Sequence, residues 1–466
     1  MTAYRKSNSL RMIRLLLILV FAFIGTFSAM AQDAIVFTWD VESNSNKNVS
    51  IQATNAKEFT INWGDDTAIE TQIGLGVGGP TTFIILSHIY ATAGQYTVTI
   101  AASNTDCSFF SFSCSGNYDS ENNQWINNQI KTLTLSDCTA LSTLWCIHNK
   151  ITNLDLTNCS ALYELHCQDN TLTNLNLTNC SNLMSVNCMN SQLMNINLNG
   201  CSNLIYLYCS GNKLLKLDLS GCSSLVEVSC DNNQLTNISL SNCMALQRLY
   251  CGNNKLSNLD FSDCENLQIL GCHNNQLLLS DIYVAHILIN SELRGRYGTQ
   301  NLQPQTIPQG GIIDFSTQTV FGGTPTNFLI EKNGELATET DYSINNGKIT
   351  FNTSGSYSVT MNNLAILSHT DYPAKVIATI NVGTAGLHDN FVPKIKVYPN
   401  PTSDKLFIEC EKFSTITLYD MFGKEVLNQN INKKLEININ HLPKGIYIAR
   451  IISEDKVVGN SKIVKQ

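Results

Sequence analysis

From Ile130 to Gln276 the apolar residues return with a fixed period. Seven units of equal length follow one another in the pattern LxxLxLxxCxxLxxLxCxxNx. One unit runs from Leu172 to Gln192 and another from Leu256 to Gln276. A short period kept over many copies predicts a solenoid in which each unit is one coil. Coils stacked as parallel strands sit about 4.8 Å apart, so each apolar position becomes an inward column. The second half of the unit predicts the strand of one continuous sheet. The first half, LxxLxL, predicts short strands or extended turns on the opposite side. An earlier half-unit, Phe109-x-x-Phe112-x-Cys114-x-x-Asn117, reads as an N-terminal capping turn, with an eleven-residue insertion after it. Beyond the last unit, Ser280 to Leu293 predicts an amphipathic helix with Ser280 as its N-cap, placed to cover the open apolar edge.

Outside the repeat the period drops to two. Residues 34–105 alternate apolar and polar positions, as do 303–384, for example at Lys348–Phe351 and Ser356–Thr360. Such runs, broken by Gly and Pro turns, predict β-sandwiches. Residues 394–466 repeat the pattern in short strands and are richer in Lys. The segment 1–31 differs again: Arg5, Lys6, Arg11 and Arg14, an apolar stretch from Leu15 to Phe27, then Ala29-Met30-Ala31. That is the layout of a secretory signal peptide with its cleavage site.

Three stretches resemble known families. The segment LxxLxCxxN, with an aliphatic residue two places on, resembles the signature of the leucine-rich repeat, with Cys at its third apolar position. The resemblance implies a curved solenoid with the signature segments lining one parallel sheet. Tyr398-Pro399-Asn400-Pro401, Leu418–Val426, Leu442–Ile451 and Lys462–Gln466 together resemble the C-terminal sorting domain of type IX secretion cargo. That implies export through the periplasm to the bacterial surface or beyond, with the type IX machinery as a partner of 394–466. Trp63-Gly64-Asp65-Asp66, His88-x-Tyr90 and Gly94–Ile100 resemble a PKD-type module, without the Phe usual after the Trp. Asp65 and Asp66 read as turn residues rather than calcium ligands. The expected fold class is mostly β: a leucine-rich-repeat parallel solenoid of 21-residue repeats flanked by β-sandwiches. The expected order is signal peptide (1–31), PKD-like sandwich (32–106), solenoid with both caps (107–300), immunoglobulin-like sandwich (301–385), linker (386–393) and sorting domain (394–466).

Composition adds three points. Charged residues make up only 14% of the 466, while 55 are Asn, so uncharged polar groups cover much of the surface. The formal net charge of −8 conceals a displayed portion, 32–393, with 13 basic and 29 acidic residues, a net −16. Such a surface repels nucleic acid and anionic lipid. Beyond Ala31 no apolar run approaches the length of a membrane-spanning helix, so none is expected in the mature chain.

Fourteen of the 17 cysteines fall into two columns. One is Cys138, Cys159, Cys180, Cys201, Cys222, Cys243 and Cys264. The other is Cys146, Cys167, Cys188, Cys209, Cys230, Cys251 and Cys272. Repeated small buried hydrophobes explain both. Disulfides between neighbouring rungs also satisfy the distance, though seven members leave one thiol over in each column. A metal site is not expected: no CxxC occurs, and His166 and Cys167 point to opposite faces of a strand. Cys107 and Cys114, off the ladder in an oxidising compartment, are better disulfide candidates.

Asn149, Asn170, Asn212, Asn233, Asn254 and Asn275 predict a ladder of amides pairing with turn backbone, with a weaker bond where Ser191 replaces Asn. No GxSxG, HExxH, P-loop or EF-hand pattern is present, so the expected protein is non-catalytic and without a cofactor. Binding is the leading expectation. On the first half, the outward column Asp155, Asn176, Asn197, Asp218, Ser239, Asp260 is small and monotonous. On the second half, two outward columns vary and carry aromatics. Trp145, His166, Tyr206, Tyr208, Arg248 and Tyr250 form the candidate ligand face, being of types frequent in binding hot spots. The plain alternative is ordinary surface drift. A surface stalk with no specific ligand, or a carbohydrate-capture protein beside secreted hydrolases, fits the same layout.

Overall fold

The computed structural model describes residues 33–78, 80–119, 124–126, 128–157, 159–178, 180–289 and 295–383, and then 396–398, 402, 404–409, 414–420, 424–431, 434–453 and 456–465. The signal peptide, the linker, Cys410 and Pro399-Asn400-Pro401 lie outside them. The chain divides into two compact units, up to Val382 and from Gly383 on.

The first unit opens with strands β1 (Ala34–Val41), β2 (Ser45–Ala53), β3 (Glu58–Asn62), β4 (Glu70–Ile73), β5 (Ile84–Tyr90), β6 (Gly94–Ala102) and β7 (Phe109–Ser113). A small hairpin, β8 (Asn117–Asp119) and β9 (Gln124–Ile126), precedes β10 (Ile130–Ser136). Strict alternation dictates the sandwich: in β1, Ile35, Phe37, Trp39 and Val41 face inward and their neighbours outward. One sheet has the order β10-β1-β6-β3-β4. The other begins β5-β2-β7 and does not stop there, because β7 pairs in parallel with the first coil. Both β7 and β10 follow residue 106 in sequence, yet they complete the N-terminal sandwich.

Seven coils follow. Their second halves give β11 (Thr143–Trp145), β12 (Glu164–His166), β14 (Ser185–Asn187), β16 (Tyr206–Tyr208), β18 (Glu227–Ser229), β20 (Arg248–Tyr250) and β21 (Ile269–Gly271). The first halves give β13 (Asn174–Asn176) paired with β15 (Asn195–Asn197), and β17 (Lys216–Asp218) paired with β19 (Asn237–Ser239). Leu144, Leu165, Val186, Leu207, Val228, Leu249 and Leu270 form one inward column, none more than 1% exposed. A coil cannot bury its own edge, so this apolar surface leaves water only by stacking.

The turn after each Cys of the second column is held by the Asn ladder. Asn170 is typical. Its Oδ1 accepts from the Ile151 N–H at 3.0 Å, and its Nδ2 donates to the carbonyls of Cys146 at 2.8 Å and Cys167 at 3.1 Å. Asn149, Asn212, Asn233, Asn254 and Asn275 repeat the pattern. The bond expected at Ser191 is not made: its buried hydroxyl has no partner. A hydroxyl is too short to span the carbonyls of two coils as an amide does. Just before each ladder residue the backbone turns left-handed, at His148, Asp169, Asn190, Gly211, Asn232, Asn253 and Asn274, with φ between 52° and 72°. Gly, Asn and Asp tolerate that conformation best.

Helix α1 (Leu279–Ile289) closes the stack and buries Leu279, Ile282, Ala285 and Ile289. Ser280 is not its N-cap. It lies in the first turn, where its N–H and Oγ bond the Gln318 side chain at 3.1 and 3.2 Å. The carbonyl of Leu278 accepts the first helical bond, and the Asp281 carboxylate reaches back to the Leu278 N–H at 2.9 Å. After the helix, β22 (Gly295–Arg296) adds a last strand to the solenoid sheet. The sheet therefore has eleven strands, in the order β22-β21-β20-β18-β16-β14-β12-β11-β7-β2-β5.

The next strand, β23 (Thr299–Asn301), belongs to the following sandwich and pairs in parallel with Lys375–Gly383. That sandwich continues through Gly355–Asn362 and Asn327–Lys332, with a second sheet of Ile312–Asp314, Lys348–Phe351 and Tyr342–Asn345. Its core includes Ile349, Phe351, Tyr357, Val359 and Ile380. The second unit is a separate β-sandwich. Lys396–Tyr398, Lys405–Glu409 and Lys434–Asn438 form one sheet, and Glu425–Ile431, Ser414–Tyr419, Gly445–Ser453 and Lys456–Lys465 the other. Leu406, Ile408, Ile416, Leu418, Ile437 and Ala449 are buried between them.

Candidate binding face

Strand alternation places all six candidate residues on the outward side of the eleven-stranded sheet, because Leu144, Leu165, Leu207 and Leu249 between them point inward. The register fixes two columns. Thr143, Glu164, Ser185, Tyr206, Glu227, Arg248 and Ile269 stand in one. Trp145, His166, Asn187, Tyr208, Ser229, Tyr250 and Gly271 stand in the other.

The six do not form one cluster. Trp145 and His166 make an edge-to-face pair with ring centroids 6.0 Å apart, and His166 is hydrogen-bonded to Glu164 at 2.7 Å. The rung of Ser185 and Asn187 separates this pair from the second group. There the Tyr206 and Tyr208 rings are stacked, parallel to within 3°, with centroids 6.4 Å apart. Arg248 donates to Glu227 at 2.9 Å. That bond pushes the guanidinium further up from its already high value. Burial pushes the Tyr208 phenol up, and the Glu227 charge adds to the shift.

Two features of the face are not visible in the six residues. Glu227 is the hub of the second group, touching both Arg248 and Tyr208. Its place in an otherwise mixed column gave no sequence signal. The face also continues beyond the repeat. Ser113 of β7, Ser50 of β2, and Ile85 and Ile89 of the edge strand β5 share its outward side, while Ser111 and Gln52 in the same register are buried. Ile85 and Ile89 are 71% and 65% exposed. An antiparallel extension with no repeat leaves no period to read. Just before β12, β14, β16 and β18 a further column, Tyr163, Met184, Ile205 and Val226, runs from coil to coil through backbone hydrogen bonds.

The cysteines lie behind this face. All sixteen in the described residues are free and buried. Burial pushes Cys188 up to about 12, and Cys146, Cys167, Cys209, Cys230 and Cys251 well above their ordinary value. In the first column, thiols act as weak donors to the coil below, as from Cys201 to the Leu177 carbonyl and from Cys243 to the Leu219 carbonyl, both at 3.4 Å. Cys107 and Cys114 are not bridged. Strand β7 lies between them, and at about 3.4 Å per residue it holds the two apart by more than twice a disulfide's reach. Asp65 does form a turn, accepting from Thr67, and its other oxygen bonds His88 at 2.7 Å under the Trp63 ring.

Residues 396–466 match the family model of the secretion system C-terminal sorting domain. This segment is a type IX sorting domain. It directs the chain to the cell surface or the extracellular space. No curated protein matches the chain in sequence. Among solved structures, the functional domain of InlJ from Listeria monocytogenes, which includes a cysteine ladder, is 22% identical over 55% of this chain and 65% of that one, with a TM-score of 0.32. YopM, a leucine-rich effector protein from Yersinia pestis, is 25% identical over 30% of this chain and 39% of that one, with a TM-score of 0.28. An internalin-like protein of Listeria monocytogenes is 17% identical over 52% of this chain and 73% of that one, with a TM-score of 0.29. The chain thus spans less than two thirds of the length of InlJ and YopM. Among the described residues no helix is long and apolar enough to cross a membrane, which says nothing of β-barrels.

Proposed function

We propose that this is a non-catalytic binding protein, exported through the periplasm by the type IX route, whose outward sheet face engages a protein partner. The observation that carries the reading is the contrast between the two sides of the coils. The first-half side repeats Asp155, Asn176, Asn197, Asp218 and Asp260 in side-chain turns onto the backbone two residues on, which is a structural use of those residues. The sheet side varies from rung to rung and exposes Trp145 and Tyr206. Aromatics and Arg on a broad rigid sheet suit a protein surface better than a small ligand, which favours concave sites. The sandwiches at either end, the first PKD-like, serve as spacers and end caps.

The test is binding of the purified secreted chain to a panel of extracellular-matrix proteins, intact cells and polysaccharides. The triple change Tyr206→Ala, Tyr208→Ala, Tyr250→Ala is expected to weaken binding to the protein found by at least about tenfold, the loss of a single hot spot. Unchanged binding would move the site off this face. A chain that binds nothing in the panel supports the stalk reading, and selective binding to polysaccharide supports carbohydrate capture.

A further inference from the structure

Tyr206 and Tyr208 hold a spacing that one aromatic ring alone does not provide. They are two residues apart on β16, with Leu207 pointing inward between them. Strand geometry separates such side chains by about 6.6 Å, and the rings are parallel to within 3° with centroids 6.4 Å apart. A flat group seated between two rings needs about 3.5 Å on each side. The centroid distance is the upper limit of the gap between the ring planes, so the rings rotate apart by at least about 0.6 Å to open a slot that seats one planar group. A pyranose chair is thicker than such a slot and stacks on a single open ring face.

Beside the pair lies one anionic acceptor, Glu227, which Arg248 already shares. Glu227 lies directly opposite Tyr206 on the neighbouring strand. Its carboxylate already holds one guanidinium, that of Arg248, through Oε2 at 2.9 Å. The Tyr208 hydroxyl takes a second of the roughly four lone-pair sites of this carboxylate, which leaves about two for an incoming planar donor. The displayed portion carries a net −16. Resting on the reading of this face as the binding surface, the geometry points to a specific subsite: an arginine side chain of the protein partner inserts between Tyr206 and Tyr208 and turns its edge to Glu227. Guanidinium is flat, stacks on aromatic faces and is less strongly hydrated than ammonium, so lysine is a poor substitute.

The test uses the full secreted chain and three probes, the N-acetyl amides of arginine, lysine and citrulline, followed by ligand-observed NMR. The arginine probe is expected to show upfield ring-current shifts of its side-chain protons and to bind roughly fivefold or more tightly than either other probe. Tyr206→Leu and Tyr208→Leu should each abolish the shifts, and Glu227→Gln should weaken binding. Thermal unfolding of each variant shows that the outward changes leave the coils folded. Equal binding of lysine and arginine, or shifts that persist in folded Tyr208→Leu, would overturn the subsite. If the triple tyrosine change abolishes partner binding while no arginine preference exists, the face stands and only the guanidinium slot falls. Arginine selectivity with undiminished partner binding in the triple variant separates the two in the other direction.

Discussion

At position 191 a serine hydroxyl lies buried where six other coils place an asparagine amide, and it touches no partner. Replacing it with the amide of its neighbours should add up to three backbone hydrogen bonds. Ser191→Asn is therefore expected to stabilise the first unit by about 1–2 kcal/mol, read as a higher denaturant midpoint with unchanged slope. The reverse change is costly. Asn254→Ala strands the Leu235 N–H and removes one of the two amide donors from each of the Cys230 and Cys251 carbonyls, leaving those of Asn233 and Asn275. A loss of about 3 kcal/mol is expected. The cysteine columns give a chemical readout at the same scale. Their thiols are buried and held protonated, so maleimide should label the columns only after denaturation; rapid labelling of the native chain would contradict their burial. These columns were legible in sequence because the repeat writes each role seven times. Gln300 was not. It closes the ladder, accepting from Leu277 and donating to Cys272, but it falls off the period set by Asn254 and Asn275 and changes residue type.

Helix α1 shows how an element can be foreseen and its end misplaced. Its existence followed from the apolar edge that the last coil would otherwise leave open. Its start did not, because Ser280 has the side chain of an N-cap, while Gln318, far along the chain, takes that side chain for itself. The back-bond from Asp281 to Leu278 serves instead. Burial raises the Asp281 pKa, although the Leu278 N–H pulls it down. A carboxylate with a raised folded pKa binds a proton more readily when folded than unfolded. Its stabilising contribution is then present below the unfolded value and lost as pH rises through the folded value. The wild-type chain should accordingly gain stability relative to Asp281→Asn as pH falls through the window just above the ordinary carboxylate range. Denaturant titrations at stepped pH would show it, and a flat difference would refute the assignment. The sandwich strands were likewise legible from alternation, whereas their partners were not. Nothing local tells β10 that it belongs beside β1, so far back in the chain.

For the molecule as a whole, the sorting domain and the proposed binding face reside in separate units. Removing 396–466 should leave the chain in the periplasm, as cell fractionation would show, without altering the coils. The proposed binding face is legible in sequence only where the repeat runs; the continuation of its sheet over β7, β2 and β5 depends on pairing between segments distant in sequence. That shared sheet makes a further prediction. A fragment ending at Asp106 lacks β7 and β10 and should show no cooperative unfolding transition, while one ending at Thr157 should regain it; circular dichroism in denaturant separates the two. The same sharing imposes an order in time. As the chain emerges from a ribosome or a translocation channel, its first strands wait for the first coil before their edges close, and only then does each later coil find a finished template to settle on.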